Sequence, residues 1–499
     1  MRAETKRRFL GALVFRALVF GALALVFLGF STAAFADEAK KPAVETLPPD
    51  VRTAHTLHLA GRELAYTAVA GSLALSDDKG EKQADVFYAA YLADGADAGR
   101  RPVTFVFNGG PGAASAYLNL GAIGPEVLSA DPGSQLASTP PLLSPNPDSW
   151  LDFTDLVFID PVGTGYSRAA PGVDAGKAFF GVHQDIQALA SFIRLYLTRN
   201  DRLASPKYLA GESYGGFRAA RLAHELLTDP GIAVQGIVML SPALDFGLIR
   251  GGGELNLLPP VLRLPSYAAA AGASPETLAE AERFAMGDYL TFLASGAEDE
   301  RIYAAVARFT GLSPDIVRRY RGAVPPEVFT KETARAKGQV ASLYDATTAM
   351  ADPYPASTTA KGGDPILDGT IAPLSTAMVL YLRQTLGFKT DRPYELLNGE
   401  VNAHWDWRSA GGNGGEEPLS ALDDLRRAVA LNPKLRIEIA QGMTDLVTPY
   451  FASRFLIAHL PTVQAVSPIE LDLYPGGHMM YWHPGVRAKL KENVAKLYR

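Results

Sequence analysis

Ser213 stands in the run Gly211-Glu212-Ser213-Tyr214-Gly215-Gly216, after the apolar stretch Tyr208-Leu209-Ala210 and before a helix-like segment carrying Arg218, Leu222 and Leu226. Glycines on both sides of a serine let a chain turn sharply from strand to helix and hold the hydroxyl clear of the sheet, as a nucleophile elbow requires. Such a serine needs a base to take its proton and a carboxylate to orient the base, here in the chain order serine, acid, histidine. Asp445 follows the strand-like Arg436-Ile437-Glu438-Ile439-Ala440 on the loop Gln441-Gly442-Met443-Thr444, and is the candidate acid. His478 follows a second strand-like run, Glu470 to Tyr474, on the loop Pro475-Gly476-Gly477, and is the candidate base. His483, beside Trp482 and Pro484, is the rival base among eight histidines.

Attack on a carbonyl also needs amide donors for the developing oxyanion. The elbow offers the Tyr214 amide, and the loop Asn108-Gly109-Gly110-Pro111-Gly112, directly after the apolar run Val103 to Phe107, can offer a second. No H-E-x-x-H spacing appears and the glycine runs lack a P-loop lysine, so neither a metal nor a nucleotide cofactor is expected.

The elements that must carry these loops are legible as patterns. Val103 to Phe107, Leu156 to Ile159 and Ile237 to Leu240 are short and almost wholly apolar, as strands buried on both faces should be. Between them, Ile186, Leu189, Ala190, Ile193 and Leu197 form a helical stripe. This pattern predicts a mostly parallel sheet with helices on both faces. Leu57 to Leu75 and Ala84 to Leu92 alternate like antiparallel strands ahead of it. The sheet pattern lapses over 246–391, which is alanine-rich with helical spacing and has prolines at 259, 260, 325 and 326, and reads as a mainly helical cap. The expected catalytic core is therefore 53–245 with 392–499, after a polar linker at 37–52.

The first 36 residues read as a secretory signal peptide: Arg2, Lys6, Arg7 and Arg8, then the apolar run Ala17 to Phe30, then Ala34-Phe35-Ala36 as the cleavage site. Arg16 interrupts the longer apolar run and argues against a retained span. Cleavage would move the formal charge of the 499-residue chain from −6 to −10, which offers no footprint for nucleic acid. With no cysteine in the sequence there is no disulfide, thiolate nucleophile or lipidated cysteine, and the fold must rely on its core.

Asn108-Gly109-Gly110-Pro111-Gly112-Ala113-Ala114-Ser115, Ile159-Asp160-Pro161-Val162-Gly163-Thr164-Gly165-Tyr166-Ser167, the elbow, and Gly477-His478 together resemble the serine carboxypeptidase family of α/β-hydrolases. The resemblance covers roughly 85–245 and 395–499 and, with the leader, suggests an exported member of bacterial type, periplasmic or secreted. It implies an α/β-hydrolase fold and a peptidase that removes C-terminal residues. It further implies that the Gly110 and Tyr214 amides form the oxyanion hole, while Asn108, the Gly109 amide and Glu212 hold the substrate's terminal carboxylate. Glu212 fits that role only when protonated, since two touching carboxylates repel. The sequence departs from the family at Val106, at Ala113-Ala114 and at Ala122, where a second carboxylate-binding glutamate is expected; Glu126 lies four residues on. An esterase, amidase or acyltransferase on the same scaffold is the alternative, and an inactive binding protein a further one. Asn402, Trp405, Asp406 and Trp407 form a polar-aromatic cluster that reads as packing, with a substrate subsite as the alternative.

Overall fold

Alternation of side chains along apolar strands divides the core into two layers, one on each face of a central sheet. In a computed structural model, which describes residues 46–128, 143–250, 255–407, 419–460 and 469–499, the main strands are β1 (Val51–Leu59), β2 (Arg62–Ser76), β3 (Lys82–Ala93), β4 (Val103–Phe107), β5 (Asp155–Ile159), β6 (Lys207–Glu212), β7 (Gly236–Leu240), β8 (Arg436–Gly442) and β9 (Glu470–Tyr474). Their spatial order is β1-β2-β3-β5-β4-β6-β7-β8-β9, and a short strand at Arg168–Ala169 beside β3 completes a ten-stranded sheet. The pairs from β1 to β5 are antiparallel and those from β5 to β9 parallel. The signal-peptide expectation for 1–36 lies outside the described residues.

Phe105, Phe107, Val157, Leu209, Ile237, Met239, Ile437 and Ile439 pack into one layer with α1 (Val182–Arg199) and α2 (Tyr214–Thr228). The stripe read on α1, from Ile186 to Leu197, is buried there. Val106, Phe158, Ala210, Val238, Leu240 and Ala440, the intervening positions, pack into the other. β4, β5 and β7 are buried at every residue, so their runs show no polar alternation.

Beyond β7 the chain forms α3 (Leu258–Ala270), α4 (Pro275–Phe284), α5 (Glu300–Thr310) and α6 (Pro326–Ala334). The prolines noted in the sequence start these helices, where a missing N–H costs nothing: Pro259 lies in the first turn of α3 and Pro326 opens α6. The segment also holds a short antiparallel pair, Gln339–Ala341 with Ala349–Ala351. Its C-terminal part differs from the expected cap. Leu374, Met378, Tyr381, Leu382 and Phe388, on and after α7 (Leu367–Leu380), are buried in the second layer, with the Phe388 ring 5.1 Å from that of Phe87. Residues 366–388 are thus a wall of the sheet. The polar linker also ends earlier than expected: Val51 and Arg52 begin β1, and Asp50 accepts from the Tyr88 hydroxyl at 2.9 Å and the Ser72 amide at 3.1 Å.

Among the described residues no helix is long and apolar enough to cross a membrane.

Candidate active site

β6 ends at Glu212 and α2 begins at Tyr214, which leaves Ser213 as the whole of the turn. Its φ of 60° and ψ of −122° are unfavourable for a side-chain-bearing residue, and such strain persists only where the surroundings over-determine it. Here the Ser213 amide donates to Leu240 O at 2.9 Å, and its carbonyl accepts from Gly216 N at 2.9 Å and Ala243 N at 3.1 Å. A Cβ on Gly211 would fall 2.0 Å from Gly215 O, so the turn closes only with glycine there. Ser213 is partly exposed while Glu212 and Tyr214 are buried.

Asp445 lies just beyond β8, fully buried. One oxygen accepts from the amides of Val447 (2.8 Å) and Thr448 (2.9 Å). The other accepts from the Thr448 hydroxyl at 2.6 Å and meets His478 Nδ1 at 2.7 Å. With an acceptor-only carboxylate at Nδ1, that nitrogen carries the proton and, in the neutral ring, Nε2 is left as an acceptor. The His478 amide donates to Tyr344 O, and its carbonyl accepts from Ser241 Oγ at 2.8 Å. Burial works against a charged ring, but the Asp445 carboxylate outweighs it and holds the His478 pKa above its ordinary value. Ser213 and His478 line one cavity; no direct hydrogen bond links their side chains among the described residues, as is common where the contact tightens only around substrate. His483 is exposed, its Nδ1 3.3 Å from Pro484 O, and does not line the cavity.

The loop after β4 closes the other side. Gly109, Gly110 and Tyr214 all line the cavity, and a Cβ on Gly109 would sit 2.6 Å from Tyr214 N. The loop rests on Arg218 of α2, which donates to Asn108 O and pairs with Asp185 of α1 at 2.7 and 3.2 Å, all in the interior. Asn108 Nδ2 donates to Glu212 Oε2 at 2.8 Å and its Oδ1 accepts from Leu118 N at 3.0 Å, leaving one side-chain N–H for a ligand. Glu212 Oε2 also accepts from the Tyr481 hydroxyl at 2.9 Å. Burial dominates and pushes the Glu212 pKa up to about 7, despite the opposing pull of His478 and these two donors.

Ala122 is buried in a wide helical turn, Asn119–Ile123, and its carbonyl accepts from Asn146 Nδ2 at 3.0 Å. Glu126 is half-buried and does not line the cavity. The group beside Glu212 is Tyr481, which the sequence reading missed along with Thr448, Arg218 and Tyr344. Of these, Thr448 left a trace, because an aspartate accepting from amides two and three residues on is a local loop pattern. Trp405 and Trp407 meet the Tyr214 ring edge-on at 5.6 and 5.8 Å, Asn402 Nδ2 donates to Pro111 O at 3.3 Å, and the Asp406 amide donates to Phe180 O at 2.8 Å. The cluster braces the elbow from behind. Among the described residues no group of histidine, aspartate and glutamate could hold a metal ion.

Residues 63–245 match the serine carboxypeptidase family profile. Carboxypeptidase sxa2 of Schizosaccharomyces pombe is 31% identical over 140 residues, 26% of this chain and 24% of that protein. Serine carboxypeptidase 1 of Hordeum vulgare is 30% identical over 166 residues, 32% of this chain and 31% of that one. The lysosomal protective protein of Mus musculus is 26% identical over 192 residues, 38% and 37% of the two chains. The chain thus spans between a quarter and two fifths of the length of these relatives. The matched segment runs from β2 through the elbow and just past β7, so over this part the chain is similar to serine carboxypeptidases, and the sheet with its flanking helices is an α/β-hydrolase fold.

Proposed function

We propose that the protein is a serine peptidase of carboxypeptidase type, acting on peptides through an acyl-enzyme. The observation that carries this is the buried Asp445–His478 pair at 2.7 Å beside a strained, partly exposed Ser213. His478 Nε2 takes the Ser213 proton as Oγ attacks the scissile carbonyl carbon, and Asp445 holds the imidazole's tautomer and orientation. The amides of Gly110 and Tyr214 receive the oxyanion. Collapse of the tetrahedral species expels the amine, which takes the proton from His478, and water then releases the acyl group by the same steps in reverse. Protonated Glu212, with Asn108 and the Gly109 amide, receives the terminal carboxylate. The leader expected at 1–36 makes the working location periplasmic or extracellular.

Ala122 favours a second reading, an esterase, amidase or acyltransferase, because Glu212 lacks the acid partner expected there. A fluorophosphonate probe should label Ser213 in the wild type and fail to label Ser213→Ala. That variant should also lose about 10⁴- to 10⁶-fold in kcat. N-blocked dipeptides, their amides and simple acyl esters then separate the readings: turnover of free acids but not amides supports carboxypeptidase action, and turnover of esters alone sinks it.

A further inference from the structure

Arg250 is the one lysine or arginine among the described residues that line the catalytic cavity. It follows the short helical turn Phe246–Ile249, which Asp245 caps through the Leu248 amide at 3.1 Å. Its guanidinium carbon lies 4.8 Å from the centroid of the Phe246 ring and 5.0 Å from that of Trp407, and the two rings are 5.0 Å apart. Two aromatic faces therefore fix a planar cation that would otherwise sweep a wide arc. Both rings abut the Tyr214 ring, at 6.3 and 5.8 Å, so the guanidinium is anchored to the residue whose amide is the oxyanion donor.

The buried arginines have acceptors inside the protein: Arg202 pairs with Asp155, Arg218 with Asp185, and Arg263 donates to the Leu446 and Ile249 carbonyls. Arg250 has no carboxylate partner among the described residues. The residue is exposed and lines the cavity, where partial burial works against its charge, and among the described residues the titratable neighbour that acts on it is the Tyr344 phenol. A guanidinium held between two rings at the cavity, with no carboxylate partner among the described residues, is suited to a bidentate carboxylate from a ligand. Glu212, mostly neutral below about pH 7, supplies no competing charge there.

We propose that Arg250 is a specificity-determining residue that receives a carboxylate of the substrate, which makes peptides with a carboxylate near the scissile bond the preferred class. The proposal rests on the reading of Ser213 as the nucleophile. The carboxylate has two possible sources, an acidic side chain or the peptide's own C-terminus, and the same chemistry serves both.

The test uses Arg250→Gln and Arg250→Lys against four N-blocked dipeptides that end in Glu or Gln, each as free acid and as amide, with the inhibition constant read in place of KM for any that is not turned over. Arg250→Gln should raise KM about 10- to 100-fold for the carboxylate-bearing substrates, with kcat within about two-fold, the range of one lost charge-assisted interaction. Arg250→Lys should recover part of this, since it keeps the charge but not the planar fork. A loss that follows Glu regardless of the terminus identifies the side chain as the source. A loss that follows the free acid regardless of the last residue identifies the terminus. Equal losses on all four substrates, or no loss on any, overturn the proposal. Stoichiometric fluorophosphonate labelling of each variant separates the two levels: labelled protein without carboxylate dependence sinks only the Arg250 proposal, whereas a wild type that resists the probe sinks the nucleophile reading beneath it.

Discussion

Glu212 sits at the elbow position that the general motif leaves free, and its charge is set by a contest among its neighbours. Burial favours the neutral acid; His478, the Tyr481 hydroxyl and Asn108 favour the carboxylate, and the balance rests at about 7. The folded pKa is raised, so Glu212 is protonated below about pH 7 and can donate to a substrate carboxylate, then repels it as the pH rises further. KM for free-acid dipeptides should therefore climb above about pH 7 in the wild type, and Glu212→Gln should flatten that limb because its amide donates at every pH. Dipeptide amides, read as competitive inhibitors, should show no such limb in either protein; superimposable KM profiles for mutant and wild type on free acids would remove Glu212 from carboxylate binding. Ser213, Asp445 and His478 were legible in the sequence because each follows a recognisable strand and the chain order excludes most rivals. Tyr481 and Thr448 were not, because their value lies in which side chain they reach across the fold. His483 shows the reverse: its spacing made it a rival, and its exposure disqualifies it.

At the scale of elements, the loop after β4, proposed to receive the oxyanion, is held from below by α1 and α2. Arg218 spans Asp185 on one side and the Asn108 carbonyl on the other, a reach that needs the full guanidinium fork. Arg218→Lys should lower kcat about 10- to 100-fold through displaced loop amides, with KM changed no more than about three-fold. It should also destabilise the fold by about 2–4 kcal/mol, since Asp185 loses a well-formed buried partner. Steady-state kinetics with a thermal melt read both effects; a variant that loses stability but keeps its kcat would show that the pair serves packing alone. The sheet strands were readable from their unbroken apolar runs, and α1 from its stripe. α7 was misassigned because a helix covering a sheet and a helix in a cap have the same periodicity. Only the neighbours of Phe388 and Met378 distinguish them.

Across the whole molecule, three buried carboxyls share one bias. Burial raises the pKa of Asp160 to about 7, of Glu212 to about 7 and of Glu438 to about 8. Glu438 on β8 lies opposite Glu470 of β9, with Asp472 adding to the repulsion, and its Oε1 is buried without a partner. Each folded pKa exceeds the unfolded one, so between about pH 4 and 8 the folded state binds more protons than the unfolded state. The stability these groups contribute is present in full below the unfolded values and is lost as the pH rises through the folded ones. The melting temperature should fall by several degrees between pH 5 and 8.5, and Glu438→Gln should reduce that fall. Calorimetry at matched ionic strength checks it; identical slopes for the two proteins would mean that Glu438 is not a source.

The stretch between the cap and α7 touches both halves of the acid–base pair. Tyr344 O takes the His478 amide, Leu343 O takes the Leu446 amide, and Asp345 Oδ1 takes the Thr444 hydroxyl at 2.7 Å. Hydrolases on this scaffold invite engineering by exchange of the roof, on the premise that a roof chooses substrates while the floor does the chemistry. Here that division of labour does not hold. A transplant that replaced 246–391 outright would carry off the struts of the histidine and aspartate loops together with a wall of the sheet. Nor is the part before Ser342 free, because Arg263 of α3 donates to Leu446 O at 3.3 Å, beside Asp445, and Glu282 of α4 accepts from the Tyr450 hydroxyl at 2.8 Å.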